Sequence, residues 1–277
     1  MIISVASGKG GTGKTSIAVS LALSSGADAF FDCDVEGPNA AIFLNPQISS
    51  KERVFMHKPV FELEKCVLCG RCADACNFGA IAITRKKLLF FSELCHGCGF
   101  CKAVCGYDVI SEEEFAIGEV EEGICKNGMR FFAGRLFPGE SLSPLVIRRL
   151  KADIEKDKLN ILDVPAGNAC PMREAVRGSD FSLLVSEPTP FGLHDLKIAV
   201  SALRSMGIPF AVIENKAQEG VDIIDAFCQD EGIELLLKIP FDRELAHAYS
   251  MGHALVDAYP KLKADFISVI KKIEESV

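Results

Sequence analysis

Residues 7–15 read Ser-Gly-Lys-Gly-Gly-Thr-Gly-Lys-Thr and match G-x-x-x-x-G-K-[ST], the pattern of loops that bind nucleotide phosphates. Glycines in such a loop let the backbone turn its N–H groups onto phosphate oxygens. Residues 2–6 before the loop have the apolar composition of a buried strand, and residues 15–23 after it have that of a helix. A helix that begins at the loop directs its N-terminus at the bound anion. The stretch therefore predicts a strand–loop–helix nucleotide site, which we prefer to a glycine-rich turn that binds nothing.

Individual residues of the loop carry distinct parts of the predicted chemistry. Lys14 is expected to neutralise the β- and γ-phosphates, and the Thr15 hydroxyl to be a ligand of Mg²⁺. The other expected contacts to the nucleotide come from the small residues of the loop and the first turn of the helix, which are Gly8, Gly10, Gly11, Thr12, Gly13 and Ser16.

The loop also contains a second lysine, Lys9. The run Lys-Gly-Gly-Thr-Gly-Lys-Thr at residues 9–15 resembles the deviant phosphate loop of the MinD/ParA/Mrp group of ATPases. The resemblance implies that Lys9 reaches into a partner subunit and contacts its nucleotide. It therefore implies ATP as the nucleotide, a nucleotide-dependent homodimer, and a catalytic role for Lys9 beside Lys14. The spacing alone predicts only a nucleotide phosphate site.

Two carboxylates follow the next apolar strand, at residues 28–39, which read Asp-Ala-Phe-Phe-Asp-Cys-Asp-Val-Glu-Gly-Pro-Asn. The strand ends in Asp32 and Asp34 before Gly-Pro breaks it. Because ligands of open α/β sheets bind outside the carboxyl ends of the strands, we expect both carboxylates beside the phosphates. The stretch resembles switch I of the same ATPases, which implies that Asp34 orients the attacking water and that Asp32 acts near the Mg²⁺. An ordinary polar strand end is the alternative.

A third carboxylate ends the strand in residues 159–167, Leu-Asn-Ile-Leu-Asp-Val-Pro-Ala-Gly. The stretch resembles switch II of the family. The resemblance implies that Asp163 takes part in catalysis by holding Mg²⁺ through water, and that the Gly167 amide senses the γ-phosphate. Such segments order around the γ-phosphate and relax after hydrolysis. Cys170 lies just beyond, and we expect it to be structural, because Mrp-type cluster carriers use a paired C-x-x-C that is not found here.

Between the two switches, the spacing C-x-x-C-x-x-C-x-x-x-C occurs at residues 66–76 and recurs at residues 95–105. This is the pattern of bacterial ferredoxins with two [4Fe–4S] clusters, in which the fourth cysteine of each run ligates the other cluster. The predicted ligands are Cys66, Cys69, Cys72 and Cys105 for the first cluster, and Cys95, Cys98, Cys101 and Cys76 for the second. Structural zinc is the alternative, although zinc usually takes separated C-x-x-C pairs.

Two details depart from the ferredoxin pattern. Asn77 and Gly106 stand where proline usually follows the fourth cysteine, which affects the local turn and the redox potential rather than the ligation. His96 lies inside the second run, and because eight cysteines already fill two clusters, we expect it at the surface or behind the ligands. Cys33 and Cys125 have no partner at metal spacing and are predicted to be structural.

Composition sets further bounds. The chain has 277 residues, 49% of them hydrophobic, which allows one large or two modest domains. Twelve cysteines with no visible export signal point to metal rather than disulfides, and we expect a cytoplasmic protein. The net charge of −8 disfavours binding to nucleic acid, and no apolar run is long enough for a stable membrane anchor.

The remainder of the chain alternates strands and helices. Strands are predicted at 181–186, 210–214 and 234–239, and helices at 193–206, 221–230 and 261–273. We therefore predict an α/β fold with a doubly wound, mainly parallel sheet in residues 1–58 and 115–277, and an inserted α+β ferredoxin-like domain in residues 59–114. Asn215 and the loop containing Pro240 resemble the family's adenine contacts.

These patterns together predict an ATPase that couples ATP binding and hydrolysis to electron transfer or iron–sulfur cluster handling. A redox or iron–sulfur protein is the expected partner besides the second subunit. Two alternatives stay open at this point. One is a cluster assembly or carrier protein, and the other is a spatial positioning or partitioning ATPase of the MinD/ParA kind.

Overall fold

The computed structural model describes residues 1–276, and strands alternate with helices along them. The strands are β1 (Ile2–Ala6), β2 (Ala29–Asp32), β3 (Gln47–Phe61), β4 (Ile81–Ile83), β5 (Leu88–Phe90), β6 (Ile110–Ile124), β7 (Arg130–Leu136), β8 (Asn160–Asp163), β9 (Phe181–Ser186), β10 (Phe210–Ala217) and β11 (Leu235–Pro240). Within the described residues, nine strands form one sheet in the order β11-β10-β9-β1-β8-β2-β7-β6-β3, and β4 pairs with β5 separately. Pairing is parallel from β11 to β7 and antiparallel for β7–β6 and β6–β3. The prediction of a mainly parallel α/β sheet is confirmed.

Helices pack on both faces of this sheet, and two short ones lie in the cysteine-rich segment instead. They are α1 (Lys14–Ser25), α2 (Ala41–Leu44), α3 (Arg71–Asp74), α4 (Phe100–Ala103), α5 (Ser143–Lys151), α6 (Cys170–Val176), α7 (Pro190–Met206), α8 (Ile223–Glu231), α9 (Arg243–Ser250), α10 (Leu255–Ala258) and α11 (Lys261–Ser276). No helix in the described part of the chain is both long and apolar enough to cross a bilayer.

Successive side chains of β2 supply the two cores, because residues alternate between the faces of a strand. Phe30 belongs to the core under α1 and α11, whereas Phe31 belongs to the core under α5, α6, α7 and α8. Each ring stacks on a phenylalanine of β7, with 4.7 Å between the centroids of Phe31 and Phe132. The apolar side chains of α11 are buried in the first of these cores, so this helix packs on the sheet.

A long antiparallel strand pair carries the cysteine-rich segment. β3 and β6 pair from Gln47 opposite Ile124 to Phe61 opposite Ile110, whereas β7 pairs only with residues 118–124 of β6. The outer half of the pair therefore extends beyond the carboxyl ends of the parallel strands, on the side where the phosphate loop lies. Residues 62–109 at its end, called the tip below, contain β4, β5, α3 and α4. The predicted domain boundaries at residues 58/59 and 114/115 fall inside these strands, so the tip continues the main sheet.

Candidate nucleotide and cysteine sites

Three adjacent parallel strands bring the predicted nucleotide residues to one edge of the sheet. Val5 at the end of β1 pairs with Asp163 at the end of β8, and Asp32 at the end of β2 pairs with the same residue. The phosphate loop leaves β1 at this edge. The three elements that the sequence singled out therefore lie side by side at the carboxyl ends of the strands.

Close contacts explain two glycines of the phosphate loop. A Cβ on Gly13, whose φ is +88°, would lie 2.2 Å from the Asn215 Nδ2 atom, and a Cβ on Gly8 would lie 2.3 Å from the Asp195 carbonyl oxygen. Gly11 also has a positive φ, although nothing crowds it. The loop is thus held between α7 and the end of β10, and α1 begins directly after Gly13.

Lys14 and Thr15 both contact Asp163 in this structure. The Lys14 Nζ atom lies 2.5 Å from Asp163 Oδ1, and the Thr15 hydroxyl donates to Asp163 Oδ2 at 2.7 Å. Burial lowers the pKa of Lys14, but the charge and hydrogen bond of Asp163 outweigh it and raise the pKa above its ordinary value. Lys14 is therefore a buried cation, and an incoming phosphate competes with Asp163 for it.

Asp32 organises the loop that follows β2. Its fully buried carboxylate accepts hydrogen bonds from the backbone N–H groups of Asp34, Asn39 and Ala40, at 3.2, 2.9 and 2.9 Å. Burial and the nearby charge of Asp163 raise the pKa of Asp32 to about 7, and the Ala40 hydrogen bond opposes the shift. The structure thus shows this residue shaping switch I, and its predicted action near Mg²⁺ stays a prediction.

Asp34 lines the same cavity as Lys14, with 3.9 Å between its Oδ2 atom and the Lys14 Nζ atom. Partial burial raises the pKa of Asp34, and Lys14 opposes that shift. Its side chain is 31% exposed, so a water molecule can reach it. This position suits the predicted orientation of an attacking water.

The structure places two residues of the switch II region that the sequence singled out. The Gly167 amide donates to the Ser7 carbonyl oxygen at 2.9 Å, so the group predicted to sense a γ-phosphate contacts the phosphate loop in this structure. Cys170, which we expect to be structural, lies exposed at the start of α6. By contrast, Cys33 and Cys125 are buried, as predicted.

A cavity of about 350 Å³ extends from the phosphate loop to the start of α9. Its volume falls in the range of small-molecule sites. Asn215 lines it and donates to the Thr12 carbonyl oxygen at 2.8 Å, and Pro240 lines the apolar end with Phe241 and Tyr249. The two residues predicted to contact adenine thus face one cavity with the phosphate loop.

Lys9 is paired within its own chain. Its Nζ atom donates to Glu187 Oε1, and the Lys216 Nζ atom contacts Glu187 Oε2 at 3.1 Å and the Gly11 carbonyl oxygen at 2.7 Å. Burial raises the pKa of Glu187, but the two lysines outweigh this effect and lower it. An ionised Glu187 therefore holds Lys9 beside the phosphate loop.

The structure gathers the eight cysteines of the tip into two groups. The first cavity of the tip is lined by Cys66, Cys69, Cys72 and Cys105, and the second by Cys95, Cys98, Cys101 and Cys76. Each group thus combines three cysteines of one run with the fourth cysteine of the other run. His96 lies exposed at the second cavity, where its ring stacks on Phe78 with 3.7 Å between centroids.

Each group offers four cysteine thiols, a donor set that suits a [4Fe–4S] cluster. All twelve cysteines are free thiols, and no set of three or more His, Cys, Asp or Glu side chains within residues 1–276 converges as single-ion ligands do. A cubane spreads its four thiolates over four iron atoms, so its ligands lie farther apart than those of one zinc ion. Burial raises the pKa of Cys72, Cys95 and Cys101, the last to about 11, so ligand binding must release protons.

Comparison with known proteins identifies the nucleotide-binding part. The model of the CobQ/CobB/MinD/ParA nucleotide-binding domain family, CbiA, matches residues 3–256. The chain belongs to this family. An uncharacterized protein of Methanocaldococcus jannaschii is 30% identical to this MinD/ParA-type chain over 283 residues, covering 100% of the chain and 98% of its own length.

One further sequence and one solved structure are also similar to this MinD/ParA-type chain. An iron–sulfur cluster carrier protein of Pyrococcus horikoshii is 26% identical and covers 98% of this chain and 84% of its own length. The cell division ATPase MinD of Pyrococcus furiosus is similar in structure, with a TM-score of 0.60 and 19% identity, covering 100% of this chain and 99% of that one. At that identity the likeness shows the fold alone, and the match to the family model confirms the predicted MinD/ParA-type resemblance.

Sequence reasoning missed three charged residues of this MinD/ParA-type chain. Glu187 and Lys216 come to the phosphate loop from the ends of β9 and β10, and Lys58 is buried on β3. Glu187 directly follows β9, so a charged residue at the carboxyl end of a strand was a signal for it. Lys58 gave no signal, because its partners come from distant segments.

Proposed function

We propose that this protein is an ATPase whose nucleotide cycle acts on two [4Fe–4S] clusters in the tip, for electron transfer or cluster handling. The observation that carries the proposal is the crossed grouping of eight cysteines on a strand pair that extends from the same edge of the sheet as the phosphate loop. The fold and family supply the nucleotide half of the proposal, and the cysteines supply the redox half.

In the nucleotide half, the phosphate loop binds the ATP phosphates through its backbone N–H groups and Lys14. Thr15 and Asp163 are the residues that would hold Mg²⁺, which stabilises negative charge on the phosphates when bound. Asp34 orients the attacking water toward the γ-phosphate. The hydrogen bonds of Lys14 and Thr15 with Asp163 exchange for contacts to the nucleotide, and this exchange moves switch II.

In the cysteine half, each group of four thiolates would hold one cluster, which supplies one-electron chemistry when bound. The chain's own contribution is to deprotonate, orient and partly shield the thiolates. The first group includes a buried cysteine, Cys72, and the second packs against β3. Exposed apolar side chains around the groups, among them Val67 and Phe100, support contact with a partner protein.

A cluster carrier is the second candidate, and the relative from P. horikoshii with that name favours it. The two candidates differ in whether clusters leave the protein. A test of the carrier mechanism would begin with substitution of Cys170, which is exposed beside switch II.

Metal analysis of anaerobically purified protein tests the proposal. We expect about eight iron and eight acid-labile sulfide per chain, because each cubane has four of each. We also expect ATP hydrolysis in the same preparation. Stoichiometric zinc in place of iron after anaerobic reconstitution would defeat the redox half, and transfer of both clusters to an acceptor apoprotein would favour the carrier.

A dimerisation experiment tests the proposed role of Lys9. In protein whose hydrolysis is blocked by Asp34→Ala, ATP with Mg²⁺ is expected to convert monomer to dimer, and Lys9→Ala to prevent this. Glu187→Gln weakens the contact that holds Lys9 in its own chain. It is therefore expected to lower the ATP concentration needed for half-dimerisation about tenfold, which corresponds to one hydrogen bond to a charged group. Light scattering measures both effects.

The control for Glu187→Gln is Glu219→Gln, an exposed carboxylate beyond the end of β10. This substitution removes the same charge from the chain without affecting the contact of Lys9. The ATP concentration needed for half-dimerisation should therefore equal that of the parent protein. A dimer that forms without nucleotide, or an unchanged midpoint in Glu187→Gln, contradicts the role of this contact.

A further inference from the structure

Lys58 is a buried lysine that neither the nucleotide site nor the cysteine ligands require. It lies in the outer half of β3, and only 1% of its surface is exposed. Its Nζ atom donates to both carboxylate oxygens of Glu140 at 2.9 Å and to the Ser92 hydroxyl at 3.1 Å. A buried ammonium group persists only where charge and hydrogen bonds compensate it. The compensation here joins β3, the tip and the loop between β7 and α5.

The charge of Lys58 acts on the second cysteine group. The next residue, Pro59, lines the cavity of that group. Gly97 lies so near β3 that a Cβ there would be 2.7 Å from the His57 carbonyl oxygen. Ser92, whose hydroxyl accepts from the Lys58 Nζ atom, also accepts the Cys95 amide at its carbonyl oxygen, at 3.2 Å. The positive charge of Lys58 is thus held one residue away from a predicted ligand of this group.

The loop that carries Glu140 also contacts switch I. The Ser141 hydroxyl donates to the Glu93 carbonyl oxygen in the tip at 2.9 Å. The buried Ser143 hydroxyl donates at 3.0 Å to the carboxylate of Glu36, two residues after Asp34. Just before this loop, the amide at the end of β7 donates to the carbonyl oxygen of residue 35 at 2.8 Å. Residues 136–143 therefore touch switch I at both ends and the tip between them.

We propose that Lys58 is a charge-compensating positioning residue for the second cysteine group, and that Glu140 couples it to switch I. The proposal rests on the proposed function, because it concerns a cluster bound by that group. A movement of switch I shifts Ser143 through Glu36, and the Glu140 carboxylate then changes its approach to Lys58. When this approach changes, the net positive field at the second cysteine group changes as well. A more positive field favours the reduced, more negative state of the site.

Redox titrations followed by EPR on the full-length, reconstituted protein test this coupling. The species of the second group is the one that Cys95→Ser removes. Lys58→Met should lower its midpoint potential, Glu140→Gln should raise it, and Lys58→Arg, which keeps the charge, should leave it near the parent value. The midpoint potential of the EPR species from the first group should change less in every variant. This species therefore serves as the internal reference.

The nucleotide arm uses a non-hydrolysable ATP analogue with Mg²⁺. It should shift the midpoint potential of the second species in the parent protein, and Ser143→Ala should abolish that shift. If Lys58→Met does not fold, Glu140→Gln and the double variant Lys58→Met/Glu140→Gln carry the test, since the double variant should lie between the two single variants. Equal potentials in all variants that hold eight iron overturn the coupling, whereas protein without iron overturns the proposed function instead.

Discussion

Replacing Lys14 by alanine is expected to reduce ATP hydrolysis by at least about 10²-fold, because a preorganised cation that stabilises transition-state charge contributes this much. Lys14 is buried, and its charge lies 2.5 Å from Asp163, where the phosphates are predicted. Asp34→Ala should instead retain ATP binding and lose hydrolysis to a similar extent, because it removes the group that orients water. Phosphate release and equilibrium binding of a fluorescent ATP analogue measure the two effects separately.

The matched control is Lys271→Ala, which removes an exposed lysine from α11, far along the chain from the loop. Circular dichroism of each variant establishes that it is folded, since Lys14→Ala leaves Asp163 with the Thr15 hydrogen bond alone. Hydrolysis at the parent rate in both Lys14→Ala and Asp34→Ala would refute the site assignment.

Replacing Cys76 by serine is expected to remove half of the bound iron, from about eight to about four per chain. The crossed grouping makes the sharper statement, because Cys76 lines the cavity of Cys95, Cys98 and Cys101 although it belongs to the first run. The EPR species lost in Cys76→Ser should therefore be the one lost in Cys95→Ser. Cys105→Ser should likewise remove the species that Cys66→Ser removes.

Cys125→Ser is the matched control, because this buried cysteine lies outside both groups. It should keep about eight iron per chain and both EPR species. If Cys76→Ser removes the same species as Cys66→Ser, each run ligates its own cluster and the crossed arrangement is wrong.

The parts of the fold that the sequence predicted are those with strong local patterns. β1, the phosphate loop and α1 follow from one short motif, and β9 has the predicted bounds, residues 181–186. The crossed cysteine grouping followed from the repeat, because the spacing itself carries the ferredoxin pattern. The carboxylates at the ends of β2 and β8 were predicted together, since parallel strands share an edge.

The missed features depend on distant contacts. β3 was not predicted because residues 47–53 at its start are exposed and, apart from Ile48, polar, so only pairing with β6 makes them a strand. Glu187 reaches Lys9 across most of the chain, and Lys58 meets Glu140 across the tip. The exposure of Cys170 was not predicted, because α6 is short and its residues show no periodicity that would assign a face.

The β3–β6 strand pair that carries the tip also makes the order of folding depend on synthesis of the cysteine-rich segment. Within the described residues, β3 lies at the edge and has β6 as its sole neighbour in the main sheet. The chain must therefore bring residues 47–61 and 110–124 together around the whole tip, and this closure costs entropy that only later contacts repay. During synthesis β3 emerges before the tip and β6 after it. β3 therefore has no pairing strand until every cysteine of the tip has been synthesised. This last strand of the main sheet can therefore pair only after the whole cysteine-rich segment has been synthesised.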